Sequence, residues 1–394
     1  MQYRRFGKLD FMVSALGFGC MRLPTLGDQT RIDEPLAIQM IRHGIDNGIN
    51  YVDTAYPYHG GNSERVLGQA LLGGYRQKVK LATKLPVPQV KQYADFDRFL
   101  NEQLVRLQTD HIDFYLLHGL SRRTWEFARD LGVIGWAEGA MRDGRIGHLG
   151  FSFHDDNSAF KYIVDGYDNW ALSQVQYNYV DQTYQAGTEG VHYAASKGLA
   201  VVVMEPLMGG NLARPADEVK AVFDRAQRKR TAADWALQWV WNQPEITLAL
   251  SGMSTMRHVE ENLASADRSG GNTLADDDLE FIEAARKVHA ALVVVHCTEC
   301  RYCMPCPNGL DIPLNFQWLN RAVGLRQMFH SRYAYRNAHA ASQLASACIA
   351  CRECEEKCPQ HIPISDWMPI VDNVLGKGAD YDPKMAPVGN GGSI

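Results

Sequence analysis

The sequence nowhere reaches the roughly 18 consecutive apolar residues that suggest a membrane-spanning helix. Basic stretches free of acids are also missing. With 40 Lys and Arg against 45 Asp and Glu, the net charge is -5, and neither nucleic acid nor an anionic membrane is offered a docking surface. Cysteine is nearly absent from the first three quarters of the chain, where Cys20 stands alone before residue 297. That excludes a disulfide framework spread through the whole fold. The N-terminal stretch MQYRRFGKLD lacks the apolar core of a secretory signal. The expectation is therefore a cytoplasmic, reducing setting, in which clustered cysteines are metal ligands. A dinucleotide fingerprint is missing too: GFGCMR at 17–22 has no third glycine and runs into Pro24 instead of opening a long helix.

What is present is a strand-helix alternation. Its 394 residues exceed one ordinary domain, although a single α/β barrel can take up about 250 of them. Short apolar or alternating runs occur near residues 13, 49, 79, 112, 146, 171, 200 and 246. Between them lie amphipathic stretches such as DEPLAIQMIRHGIDNG, ADFDRFLNEQLVRLQ and TAADWALQWVWNQ, with apolar residues at three- and four-residue steps. Eight such units predict a parallel sheet closed into a (β/α)8 barrel over residues 1–290. In such a barrel, chemistry sits where strands end. The second strand ends in Asp53, the third in Lys84 and the fourth in His118, and Tyr58 follows Asp53 in the loop DTAYPYHGG. Any one of these alone reads as packing or surface; four titratable residues on one rim read as a site. Cys20, at the end of the first strand, reads as a small buried hydrophobe.

A phosphate site in a barrel is commonly made by the loops after strands seven and eight together with a helix N-terminus. After strand seven comes EPLMGGN, where Gly209 and Gly210 permit close backbone approach. After strand eight comes SGMSTMRHVEEN, where Ser254 precedes a helix bearing Arg257, Glu261 and Asn262.

In their contexts DTAYPYHGGNSERVLG, LATKLP and DHIDFYLLH, these residues resemble the aldo/keto reductase superfamily over roughly residues 1–290. The resemblance implies a carbonyl reductase that uses a nicotinamide cofactor, NADP(H) in preference to NAD(H), with Asp53, Tyr58, Lys84 and His118 as the catalytic tetrad. Tyr58 would supply a proton, made easier to give by the Lys84 ammonium. Asp53 would hold Lys84, and His118 would orient the carbonyl oxygen. The stretch after strand eight resembles the family's adenosine-phosphate loop, with His258 where Arg or Gln often stands. Ser152 and Gln174 match the family's contacts to the nicotinamide amide. Phe153 replaces an Asn there, with His154 beside it, and Met204 replaces a stacking aromatic.

The remaining cysteines form an internal repeat: CTECRYCMPCP (297–307) is echoed about fifty residues on by CIACRECEEKCP (348–359). The second copy fits C-x2-C-x2-C-x3-C-P, the ferredoxin run whose fourth cysteine serves the other cluster. By that rule Cys297, Cys300, Cys303 and Cys358 hold one [4Fe-4S] cluster. Cys348, Cys351, Cys354 and Cys306 hold a second. A zinc site from two CxxC pairs is the alternative, but it uses four of eight thiols and leaves both following prolines unexplained. The pairing is similar to the iron-sulfur domain at the C-terminus of one aldo/keto reductase branch. A mostly helical ferredoxin-like dicluster domain is expected over 291–376, helical between the two cysteine segments, followed by a flexible tail over 377–394. Two functions remain open: a carbonyl-reducing oxidoreductase with clusters for electron relay or for structure, and a redox-sensing or electron-transfer protein whose barrel binds nucleotide with little turnover. A ferredoxin or flavin partner is compatible with both. The substrate is a small molecule.

Overall fold

The computed structural model describes residues 1–324, 327–337 and 339–387, the side chain of His330 excepted. Residues 388–394 of the expected tail, and 325, 326 and 338 of the segment expected to be helical, lie outside the described residues. The chain forms two compact units. The first comprises Met1–Leu207 and Ala233–Ala275; the second comprises Met208–Ala232 and the chain from Asp276 onward.

The first unit is the barrel. A hairpin of β1 (Tyr3–Arg5) and β2 (Met12–Ser14) precedes eight strands: β3 (Leu16–Gly19), β4 (Tyr51–Asp53), β5 (Lys80–Leu85), β6 (Ile112–Leu120), β7 (Ile146–Phe153), β8 (Leu172–Gln176), β9 (Ala200–Met204) and β10 (Ile246–Ser251). All eight pair in parallel, and β10 closes the ring against β3. The near-continuous burial of β5, β6 and β9 is what a sheet covered on both sides requires. Helices form where apolar residues recur on one face and a cap is available. In Glu34–Asp46, the Asp33 carboxylate accepts from Leu36 N, and Ala37, Met40, Ile41 and Ile45 are buried.

One expectation needs splitting. The apolar run near residue 13, VSALGFG, is expected to be one strand, but its start belongs to β2, paired antiparallel with β1, and only Leu16 onward enters the barrel. The cause is Phe6, which the hairpin delivers into the barrel interior with no exposure. Its ring stacks on Phe114 at 4.6 Å and on Phe11 at 4.9 Å. It joins Tyr51, Leu116, Leu172, Val202 and Leu248 in the interior cluster. Arg4 fastens the hairpin by donating to the carbonyls of Ile246 and Trp241, each at 2.6 Å.

The second unit is largely helical. Its segments include Asp217–Asp224, Asp276–Leu292, Ile312–Val323, Met328–Asn337 and Ile364–Val371. Arg228 pairs with Asp278 at 3.1 Å. Phe316, Leu319, Trp367, Met368, Val371 and Leu375 form the core, and Cys303, Cys354 and Cys358 pack into it. Asp311 caps Ile312–Val323 through Leu314 N. Beyond residue 377, Arg332 holds the Ala379 carbonyl at 2.6 Å and Pro383–Met385 makes a short turn. Among the described residues no helix is long and apolar enough to cross a membrane.

Replacing Phe6 with Ala is expected to destabilise the barrel by about 3–5 kcal/mol, the usual range for a buried aromatic. Urea unfolding measures this; a loss below about 1 kcal/mol would show that the hairpin only decorates the barrel.

Candidate active site and cysteine loops

Asp53 is the last residue of β4. Lys84 lies one residue before the end of β5, and His118 lies near the end of β6. Lys84 has no exposure, and Asp53 has almost none. A lysine ammonium buried to that degree keeps its charge only if its donors are met. Nζ donates to Asp53 Oδ1 at 2.6 Å and to the Thr54 carbonyl at 2.7 Å, and it stands 5.1 Å from the centroid of the Tyr58 ring. Tyr58 in turn meets His118 edge-on, with centroids 5.9 Å apart at 81°. The structure thus brings together the three residues named from strand ends and Tyr58 from the loop that follows Asp53.

Neighbours that the sequence did not single out hold this group in place. The Ser63 hydroxyl donates to the Cys20 carbonyl at 2.9 Å, so the Thr54 hydroxyl, 2.9 Å away, must donate to Ser63. This fixes the residue whose carbonyl receives Lys84. Gln103 Nε2 donates to the Lys84 carbonyl at 3.1 Å, and its Oε1 accepts from Tyr115 at 2.6 Å. The buried Glu64 carboxylate joins that network through Thr83 and Arg106. Such polar residues carry no periodic signal; adjacency of Thr54 to Asp53 was the one available hint. The aim of His118 has a backbone cause. The β6–β7 register breaks between Leu117 and Leu120; Gly119 adopts φ +65°, and its N–H donates to Ser152 Oγ at 2.8 Å. A side chain at that φ is strained.

Electrostatics follow from burial. The Asp53 carboxyl is raised by desolvation, and the Lys84 ammonium opposes that rise. His118 is pushed well below the ordinary imidazole value, first by burial and then by Lys84 and His154, so its ring is neutral. The Cys20 thiol is held protonated by burial and by the Asp53 charge, in keeping with a packed cysteine.

The residues expected to hold the cofactor fall in several places. Gln174 is the register partner of Ser152 on β8. Its buried Oε1 has no hydrogen-bond partner among the described residues, and Nε2 faces the Met204 sulfur at 3.9 Å. A buried amide oxygen without a donor fits an incoming N–H, as a carboxamide ligand would supply. Ser254 Oγ donates to the Arg22 carbonyl at 2.9 Å, and Thr255, not Ser254, caps the helix Met256–Ala266 by accepting from His258 N. Arg257 is open to solvent beside Glu261, at 2.7 Å. Asn262 is buried, donating to Ser251 at 2.9 Å. Gly209 and Gly210, in the second unit, have φ +66° and +98°. Arg22, at the end of GFGCMR, pairs with Glu205 at 3.6 Å; no spacing in the sequence marks it.

The two cysteine segments share one backbone. Glu299 and Arg301, flanking Cys300, have φ +56° and +65°; Ala350 and Arg352, flanking Cys351, have +55° and +64°. Non-glycine residues enter this region at a cost and persist where function or context holds them there. Alternating left- and right-handed residues turn successive N–H groups inward as a nest for a polyanion, the arrangement seen around iron-sulfur clusters. Ala350 N donates to Cys348 Sγ at 3.4 Å, and the Glu299 N–H meets Cys297 in the same way. Cys297, Cys300, Cys303 and Cys358 line one cavity. Burial drives the Cys297 and Cys303 thiols up, and mutual repulsion among this set adds to the rise. Cys354, pushed up to about 11 mainly by burial, sits with Cys348 and Cys351. The loop after Cys306 is tied to the other segment by Asn308, which donates to the Ala347 carbonyl just before Cys348. Among the described residues no three His, Cys, Asp or Glu side chains converge on a single-ion site.

Comparison with known proteins agrees with this geometry. A model of the aldo/keto reductase family matches residues 15–286, and a model of the 4Fe-4S dicluster domain matches residues 296–362. The chain is 28% identical to L-galactose dehydrogenase of Arabidopsis thaliana, covering 72% of this chain and 94% of the relative. It is also 28% identical to the uncharacterized oxidoreductase YrpG of Bacillus subtilis, over 68% and 92%. Among solved structures, the holo form of aldo-keto reductase AKR11C1 from Bacillus halodurans superposes with a TM-score of 0.60 at 28% identity, covering 72% of this chain and 96% of that one. An aldo-keto reductase from Klebsiella pneumoniae in complex with NADPH gives 0.57 at 26%, over 72% and 94%.

Lys84→Met is expected to destabilise the barrel by about 3–5 kcal/mol at pH 8, because it strands the buried Asp53 carboxylate. Without the ammonium, the folded-state pKa of Asp53 lies further above its unfolded value near 3.9. The unfolded chain is then the first to lose its proton as pH rises, so the deficit grows with pH and shrinks toward pH 5. Unfolding free energies at the two pH values test this; an equal deficit at both would mean that Asp53 is not the stranded charge.

Proposed function

Because the chain belongs to the aldo/keto reductase family, we propose that this oxidoreductase exchanges hydride between NADP(H) and a small carbonyl or alcohol, and that its second unit carries two [4Fe-4S] clusters. The observation that carries the first half is the meeting of Asp53, Lys84, Tyr58 and His118 at the ends of neighbouring strands. A bound nicotinamide supplies the hydride. Everything else falls to the side chains. Tyr58 gives the carbonyl oxygen its proton; the nearby Lys84 ammonium favours the phenolate left behind. Asp53 and the Thr54 carbonyl keep the ammonium in place without solvent. His118, neutral at working pH, donates an N–H to the same oxygen and fixes its direction. The unpartnered Gln174 Oε1, with Ser152 alongside, suits the carboxamide of the nicotinamide. Ser254, Arg257, His258, Glu261 and Asn262 form the adenosine-phosphate end. The charge of Arg257 and the complex of the Klebsiella pneumoniae relative with NADPH support the phosphorylated cofactor.

The paired loops support the second half. One set is Cys297, Cys300, Cys303 and Cys358; the other is Cys348, Cys351, Cys354 and Cys306. A cluster passes single electrons where a hydride carries two, so a relay needs an external one-electron carrier, ferredoxin-like or flavin. The exposure of Cys351, against the burial of Cys303, Cys354 and Cys358, favours relay to such a partner over a purely structural role.

Tyr58→Phe is expected to lower carbonyl reduction by about 10²–10⁴-fold, the range for a lost general acid, with NADPH binding retained in a fluorescence titration. Turnover at the wild-type rate would remove Tyr58 from the chemistry. Anaerobically purified protein should contain about eight irons and Cys306→Ala about four, following the ligand rule for two-cluster ferredoxins. An unchanged iron count in that variant would exclude Cys306 as a ligand.

A further inference from the structure

Tyr51 and Asp53 are the first and last residues of β4. Two apart on a strand, their side chains project to the same face, which here is the barrel interior. The Tyr51 ring packs with Phe6 at 6.0 Å and with Phe114 at 5.8 Å. Those contacts need only the ring. A phenylalanine would make them equally well, yet this position carries a hydroxyl with no exposure and no hydrogen-bond partner among the described residues. Other members of its interior cluster, Ala82, Leu116, Leu172, Val202 and Leu248, are hydrocarbon. One step nearer the strand end, Asp53 is 2% exposed. Its Oδ1 accepts from Lys84, whereas Oδ2 has no partner among the described residues. A buried hydroxyl and a buried carboxylate oxygen left unmet on one face of one strand are a donor and an acceptor that a single bridge would satisfy. Burial holds the phenol well above its ordinary value, and the Asp53 charge adds more to that rise than the Asp113 charge does. The oxygen therefore keeps its proton and can donate it. On the next strand, the register partner of Asp53 is Ala82, a methyl group where Leu116, Leu172 and Val202 fill the layer more fully; a water takes about the space that a larger residue would occupy there.

We propose that one buried water, accepting from the Tyr51 hydroxyl and donating to Asp53 Oδ2, links Tyr51 to the tetrad and makes it a positioning residue for Tyr58. Buried waters occupy sites of this kind, between polar groups that have no other partner. The link takes up part of the negative charge of Asp53. The carboxylate then stays ionised without solvent and draws less strongly on Lys84, so more of the ammonium field falls on Tyr58. This last step rests on the reading of Tyr58 as the proton donor; the link to Asp53 does not. Asp53 is faced by Lys84, by Tyr51 and by the protonated Cys20 thiol. Tyr58 is faced by Lys84 and by the neutral His118, which in turn feels His154. Removing the Tyr51 hydroxyl alters none of these other groups directly, so a change in the behaviour of Asp53 or Tyr58 reports the link.

The test compares Tyr51→Phe with Leu116→Ala, a purely hydrocarbon loss from the same interior cluster, in the full chain purified anaerobically. Urea unfolding at pH 5 and pH 8 reads the link. Without its donor, Asp53 holds a proton more tightly in the folded chain, and its folded-state pKa moves further above the unfolded value near 3.9. The unfolded chain then loses that proton first as pH rises, so the loss of stability grows with pH. Expected for Tyr51→Phe is an unfolding constant raised about tenfold more at pH 8 than at pH 5, against an equal rise at both for Leu116→Ala. A high-resolution crystal structure of the wild type should show the water within about 3 Å of both oxygens. The effect on Tyr58 is read from the pH profile of 4-nitrobenzaldehyde reduction with NADPH. Left unshared, the Asp53 charge opposes the Tyr58 phenolate, so the alkaline limb of kcat/KM moves to higher pH. At pH 10, Tyr51→Phe should keep about a threefold larger share of its plateau rate than wild type, and Leu116→Ala the same share as wild type. An equal loss of stability at both pH values, or a wild-type structure with no water between the two oxygens, overturns the link. A pH-dependent loss with an unmoved limb supports the link and overturns its effect on Tyr58. A wild type that reduces no aldehyde removes the proposed function and with it the step to Tyr58, while the stability difference still decides the link.

Discussion

A charged lysine without solvent must be met by an anion and by carbonyl oxygen, and the active end of the barrel is organised around that need. Lys84 lies on one strand, its carboxylate partner ends the neighbouring strand, and its carbonyl partner is the next residue in the chain. Side chains on adjacent parallel strands therefore meet only if the register is right: Asp53 lies opposite Ala82, two residues from Lys84. A one-residue slip would turn one partner to the other face. The ion pair thus depends on the register, the register on the closed barrel, and the hydroxyl chain from Thr54 to the Cys20 carbonyl keeps the loop from relaxing away. A buried pair of this kind is weak evidence of stability; its value lies in keeping a positive charge beside Tyr58.

Much of this was legible in the sequence because the strongest signals are periodic or spaced. Eight apolar runs separated by amphipathic stretches implied the barrel, and polar residues at strand ends marked Asp53, Lys84 and His118. Tyr58 was legible only as the fourth titratable residue on that rim, since a tyrosine in a loop carries no pattern of its own. The hairpin was missed because β1 is three residues long and carries two arginines, which no alternation rule selects. Its place is set by a distant contact of Phe6 with Phe114. Thr255, which caps the helix after Ser254, was not singled out, because two adjacent hydroxyl residues before a helix are indistinguishable until the backbone shows which one accepts. Thr54, Ser63 and Gln103 were invisible for the same reason: buried hydrogen-bond networks depend on three-dimensional neighbours and leave no trace in residue spacing.

The cysteine segments show the opposite balance. Their spacing alone divided eight thiols into two sets, and the described backbone places Cys297, Cys300, Cys303 and Cys358 around one cavity. The repeat was visible in letters, but its physical content was not. Four non-glycine residues hold left-handed conformations at matching positions in both copies, although Glu299 and Ala350 share no chemistry. The constraint acts on the backbone, through inward N–H groups, and leaves the side chains free to diverge.

Exposure of one ligand loop has a consequence for durability. Residues 349–353 are open to solvent, whereas the loop of Cys297 and Cys303 is partly or wholly covered. Sulfur oxidation follows accessibility as well as thiolate character. Oxidants therefore reach the two copies of one motif unequally, Cys351 before Cys303.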